Sequence, residues 1–131
     1  MNPLARAHRL ALYAIGGLLL LTGAAWAVLH YFADERTAVP VNALLMKIHG
    51  GAAMIVLVLI GALIPQHVAG GWRLARNRAS GLALTALAGL LAVTGYLLYY
   101  AGSDVLRDGA SVLHLVIGAG LPAALLAHRL R

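Results

Sequence analysis

The stretch LALYAIGGLLLLTGAAWAVLHYF, Leu10 to Phe32, holds no Asp, Glu, Lys or Arg. A helix crossing the hydrocarbon core needs about 20 mostly apolar residues, so this run is long enough to span. It is too long for the core of a signal peptide, and three comparable runs follow it, so it reads as a retained helix. The second run is Val41 to Pro65, interrupted early by Lys47 and His49. The third is Gly81 to Ala101, and the fourth begins at Ala110 and runs through His114 to His128 and the chain end.

Polar, turn-prone segments separate the runs: Asp34-Glu35-Arg36, the stretch Gly70 to Ser80, and Gly102-Ser103-Asp104. Connections this short make neighbouring helices antiparallel. The expected fold is therefore an all-α, integral membrane four-helix bundle, up-down-up-down, in a single domain spanning residues 1–131. Composition agrees. Of the 131 residues, 62% are hydrophobic and 11% charged, against roughly 25% charged in soluble proteins. A soluble domain of this size could not hide so much apolar surface. The chain has no cysteine, which excludes disulfides, iron–sulfur clusters, thiolate metal sites and covalent haem attachment by this chain. The net charge is +6, but the basic residues sit between apolar runs and form no face with interleaved aromatics, so no nucleic acid partner is expected. The partner implied by the runs is membrane lipid.

Orientation follows from where Lys and Arg fall. Arg6, Arg9, Arg73, Arg76, Arg78, Arg129 and Arg131 lie on the side of the termini and the middle loop. Arg36, Lys47 and Arg107 lie toward the other side, with all four acids, Asp34, Glu35, Asp104 and Asp108. The positive-inside rule places both termini in the cytoplasm. Trp26, Tyr31, Phe32, Tyr96, Tyr99 and Tyr100 would form an outer aromatic belt and Trp72 an inner one. A faint repeat is also visible. Leu20-Leu21-Thr22-Gly23 resembles Ala92-Val93-Thr94-Gly95, and Ile48-His49-Gly50 resembles Leu113-His114-Leu115; short apolar matches of this kind arise easily by chance.

Six histidines are present: His8, His30, His49, His67, His114 and His128. Ionisable residues within a membrane are costly and are candidates for function. His114 and His128 are 128 − 114 = 14 residues apart, which returns them to within about 40° of one direction and separates them by about 21 Å along the axis. One helix then offers a ligand at two depths, as two stacked haems require. His49 on the second helix lies at a depth compatible with His114, giving an outer pair. The partner of His128 is His8 or His67. His67 is 67 − 49 = 18 residues after His49, about 27 Å of helix against about 21 Å for the fourth run. That mismatch, with Pro65 just before it, favours His8 and keeps His67 as the alternative. His30, beside Tyr31 and Phe32, reads as interfacial, with contact to a haem propionate as its other role.

Zinc sites gather three or four ligands in one small volume, whereas these histidines are spread along the membrane axis. Proton relays combine Asp, Glu and His, and no acid lies within a run. Paired histidines on facing helices, without acids, suit bis-imidazole ligation of haem iron. Iron so ligated has no open position and transfers electrons without activating oxygen. Glycines at 16, 17, 23, 50, 51, 61, 89, 95, 118 and 120 leave room for a flat macrocycle or for close helix packing. Arg6, Arg9, Arg76 and Arg129 inside, with Lys47 and Arg107 outside, are candidate propionate partners.

Arg6-Ala7-His8-Arg9, followed by an apolar stretch ending Leu20-Leu21-Thr22-Gly23, resembles the first helix of bacterial di-haem cytochromes b. These include the membrane subunits of formate dehydrogenase and nickel–iron hydrogenase and their small relatives. The resemblance implies two haem b groups, one held by His8 with His128 and the other by His49 with His114. It implies a place in the bacterial inner membrane and electron transfer there between a periplasmic or membrane redox protein and the quinone pool, as a subunit of an oxidoreductase. A quinone would meet the loop Gln66 to Asn77, where His67 or Asn77 could hydrogen-bond its carbonyl. Arg9 stands where an aromatic often follows the first-helix histidine in that family. Rival expectations are a cofactor-free anchor or assembly subunit, in which the histidines are incidental, and a small transporter or carrier, which the lack of intramembrane acids disfavours.

Overall fold

The computed structural model describes residues 3–65, 69–73 and 78–130. These are helical except at short turns, and among them there is no strand. Five helices follow one another: α1 (Pro3–Phe32), α2 (Glu35–Leu63), α3 (Ala69–Arg73), α4 (Arg78–Tyr100) and α5 (Asp104–Arg129). All but the short α3 are long and apolar enough to cross a membrane. The all-α class with four spans, expected from hydropathy, is what the chain adopts. It is a multi-pass membrane protein.

The chain divides into two compact units, Met1–Ile64 and Pro65–Arg131. The first contains the hairpin α1–α2. Ala33 closes α1 by donating its N–H to the Leu29 carbonyl at 3.2 Å. Asp34 is extended (φ −64°, ψ 138°) and its carboxylate accepts the N–H of Arg36 at 3.2 Å. A short acidic side chain at this position satisfies one of the otherwise orphaned N–H groups of a new helix. The break is thus narrower than the polar triplet suggested, because Glu35 and Arg36 already belong to the first turn of α2.

The second unit contains α3 and the hairpin α4–α5. Arg78 ties the start of α4 to α3: its Nε and Nη2 donate to the Trp72 carbonyl at 2.9 and 2.6 Å. Its guanidinium lies 5.3 Å from the centroid of the Trp72 ring, within cation–π range. Ala101 donates to the Leu97 carbonyl at 2.9 Å and ends α4. Ser103 caps α5 by accepting the N–H of Leu106 at 3.4 Å. Asp104 in the first turn faces the positive helix end and pairs with Arg107. These caps start α5 at residue 104, ahead of the apolar run that begins at Ala110.

The deepest described side chains are small. Thr22, Ala52, Thr94 and Ala110 are each at most 5% exposed, and Ile117 is 8% exposed. Small side chains let antiparallel backbones approach, the usual packing of helices in lipid. A Cβ added to Gly118 would sit 3.9 Å from Leu91 Cδ2, so α4 and α5 meet closely there. The large apolar side chains point outward, among them Leu21, Val58, Val93, Val116 and Leu126. Contiguous apolar surface of this extent suits acyl chains and is not tolerated in water.

Candidate functional site

Within each hairpin, an imidazole on the second helix meets a hydroxyl on the first. In α1–α2, Thr22 Oγ1 and His49 Nδ1 are 2.9 Å apart. In α4–α5, Thr94 Oγ1 and His114 Nδ1 are 2.8 Å apart, and Ser80 Oγ and His128 Nδ1 are 2.9 Å apart. Each hydroxyl residue is followed by a glycine beneath the same ring. A Cβ on Gly23 would lie 3.3 Å from His49 Cε1, one on Gly95 3.4 Å from His114 Cε1, and one on Gly81 3.8 Å from His128 Cε1. The absent side chain is what lets the ring lie against the facing helix.

The two threonines have matching local geometry. Thr22 Oγ1 donates to the Leu18 carbonyl at 2.7 Å, with Leu19 O at 3.2 Å. Thr94 Oγ1 donates to the Leu90 carbonyl at 2.7 Å, with Leu91 O at 3.2 Å. A hydroxyl has one proton, and here the backbone takes it. The oxygen can then accept from the ring, an arrangement that would put the hydrogen on Nδ1 and leave the lone pair on Nε2. A hydrogen bond at the other ring nitrogen fixes the tautomer of a metal-ligating histidine.

The short sequence repeat is thus a repeated contact. Its intervals are also shared. Ser80 and Thr94 are 94 − 80 = 14 residues apart, as are His128 and His114. Two contacts at equal intervals on both helices confirm that α4 and α5 run antiparallel. In the first unit, His8 and Thr22 are again 22 − 8 = 14 residues apart, so His8 takes on α1 the place that Ser80 takes on α4. Each hairpin therefore carries imidazoles at two levels about 21 Å apart. His8 Nε2 is buried and has no hydrogen-bond partner among the described residues. Leaving such a group unmatched costs about 1–3 kcal/mol, and a bound electrophile such as a metal ion would relieve that cost.

His30 stands apart from this pattern. It is exposed at the end of α1, stacks on Trp26 (4.5 Å between centroids, 10° between planes) and meets Tyr31 edge-on at 4.8 Å. His67, Asn77, Gln66 and Arg76 lie outside the described residues, and with them the candidate quinone site. Arg6, Arg9, Lys47, Arg107 and Arg129 are all solvent- or lipid-accessible. Of the glycines, a Cβ at Gly16, Gly17, Gly51, Gly61, Gly89 or Gly120 would meet nothing within 4 Å. Those positions leave open surface along the helices, while Gly23 and Gly95 accommodate rings. Among the described residues, no three His, Cys, Asp or Glu side chains gather to hold a metal ion.

Sequence reasoning missed the hydroxyls. Thr22 and Thr94 were visible only as part of a faint repeat, and Ser80 only as a loop residue. Asn42 was also missed: its Oδ1 is buried without a hydrogen-bond partner among the described residues. It lies 49 − 42 = 7 residues before His49, two turns away on the same face. The usable signal was the hydroxyl–glycine pair repeated 14 residues apart on α4. Beside Thr94 a cleft of about 410 Å³ opens between α4 and α5, lined by Leu97, Ser103, Leu106, Ala110 and Leu113 among others. Comparison with protein families, with characterised proteins and with solved structures finds no match.

Proposed function

We propose that this chain is a di-haem b-type cytochrome of a bacterial inner membrane. It carries electrons between a periplasmic or membrane redox protein and the quinone pool, as an electron-transfer subunit. His49, His114, His128 and His8 are its iron ligands. The observation that carries this reading is the pair of matched hydrogen bonds from His49 Nδ1 to Thr22 and from His114 Nδ1 to Thr94. They orient two imidazoles on the membrane-spanning helices and, with Nδ1 as the donor, would leave Nε2 free to hold iron.

Haem iron supplies a reversible one-electron change when bound. The chain's own residues do the rest. The hydroxyls orient the rings, the adjacent glycines make room for them, and the long apolar side chains exclude water. In each hairpin the two histidine levels are about 21 Å apart along the helices, which covers much of a hydrocarbon core about 30 Å thick. The shared 14-residue interval favours His8 over His67 as the fourth ligand. The pairing of His49 with His114, and of His8 with His128, remains the expectation drawn from depth along the sequence.

The test is a reduced-minus-oxidised spectrum with pyridine-haem quantitation, on wild type and on His8→Ala, His49→Ala, His114→Ala, His128→Ala and His67→Ala. Two haems per chain are expected, with one lost in each of the first four variants and none lost in His67→Ala. A folded, haem-supplied preparation with no haem would overturn the cytochrome reading and leave a cofactor-free anchor.

A further inference from the structure

We infer that Thr22 and Thr94 are positioning residues that set the donor strength of His49 and His114, and through it the reduction potential of the group these rings hold. The inference rests on the haem reading above. In each hairpin the order is backbone carbonyl, threonine hydroxyl, imidazole Nδ1. The hydroxyl proton goes to Leu18 O or Leu90 O at 2.7 Å, and the ring follows at 2.9 or 2.8 Å. A hydroxyl that is already donating is a better acceptor, because bonds in such a chain polarise one another. It draws the Nδ1 proton outward and pushes electron density toward Nε2. A richer donor stabilises the oxidised, more positive iron and lowers its potential.

The size of the push is also bounded. The acceptor is neutral, so it strengthens the ligand less than the carboxylate that partners many metal-bound histidines. Each ring lies against the glycine that follows its threonine, which brings Nδ1 up to the hydroxyl. A Cβ there would come within 3.3 or 3.4 Å of Cε1. The same contact thus bears on ring orientation, tautomer and donor strength at His49 and His114.

Valine is close to threonine in shape and cannot accept the bond, whereas serine keeps the hydroxyl. The experiment is a spectroelectrochemical titration of the full-length protein carrying Thr22→Val, Thr94→Val, Thr22→Ser or Thr94→Ser. It is combined with nitrogen-15 NMR of histidine-labelled, reduced protein. Each valine variant is expected to raise one of the two midpoint potentials while both haems remain, and each serine variant to restore the wild-type value. If His49 and His114 share a haem, both valine variants move the same potential. In the NMR arm the Nδ1–H signals of His49 and His114 should be shifted and slow to exchange in wild type, and should lose both properties in the valine variants. Wild-type potentials in both valine variants, or unshifted and fast-exchanging Nδ1–H signals in wild type, would overturn the inference. Loss of haem in a valine variant leaves the wild-type and serine NMR arms to decide it. A wild-type chain that carries no haem would instead sink the cytochrome reading, and the same spectra would still report whether the hydroxyls hold the rings.

Discussion

Whether His49 can lie where it does depends on a single hydrogen atom at position 23. A methyl group there would come 3.3 Å from the ring, against 3.4 Å at Gly95 and 3.8 Å at Gly81. The last is an ordinary contact and the first two are tight. Gly23→Ala and Gly95→Ala should therefore destabilise the protein by about 1–3 kcal/mol, the usual cost of overpacking. Gly81→Ala should be neutral or gain up to about 1 kcal/mol of helix propensity. Thermal unfolding followed by circular dichroism checks the order. Equal damage at all three positions would show that the rings do not rest on these glycines. The sequence pointed to ten glycines as a group and could not rank them, because the distinguishing neighbour lies on another helix. The hydroxyls were hidden for a related reason. A threonine in a helix can bond its own i−4 carbonyl and needs no further partner, so nothing local announces that Thr22 and Thr94 also receive an imidazole.

Each membrane-length helix that follows a tight turn starts on a short polar side chain. Asp34 caps α2 and Ser103 caps α5. Replacing either with alanine should cost about 0.5–2 kcal/mol, as for other N-caps. The melting temperature, followed by circular dichroism, should fall. No change in melting in either variant would mean the caps contribute nothing in this setting. The apolar centres of the spans were legible from hydropathy alone. Their ends were not, because caps and charged first turns carry helices beyond the apolar run. Thus α5 starts at Asp104 and α2 at Glu35. Pro40 and Pro122 lie inside α2 and α5, where propensity alone would predict a break. Lipid reverses that preference, since a chain in hydrocarbon must keep its remaining backbone bonds satisfied within the helix.

At the scale of the whole chain, the arginines set a testable orientation. The termini and the middle connection should face the cytoplasm, and the two tight turns the opposite side. The protein has no cysteine, so single cysteines report cleanly. Gly102→Cys should react with an impermeant maleimide in intact spheroplasts, and Gly70→Cys only after lysis. The reverse result would invert the topology. Charge and hydropathy made the class and number of spans readable, since both are sums over many residues. The site depended on single long-range contacts, and only the 14-residue spacing of His114 and His128 showed through. That spacing also constrains how the gene can drift. Ser80 with His128 and Thr94 with His114 bracket equal lengths of α4 and α5. Deleting one residue inside either bracket turns the remainder by about 100° and moves it about 1.5 Å, taking one of the two contacts apart. A matched deletion in the opposing helix restores the axial register but leaves the far end of each helix turned by about 100°, so both contacts survive only if the two segments change together by about a whole number of turns, such as seven residues, while the turn at residues 101–103 lies outside both brackets and is under no such rule.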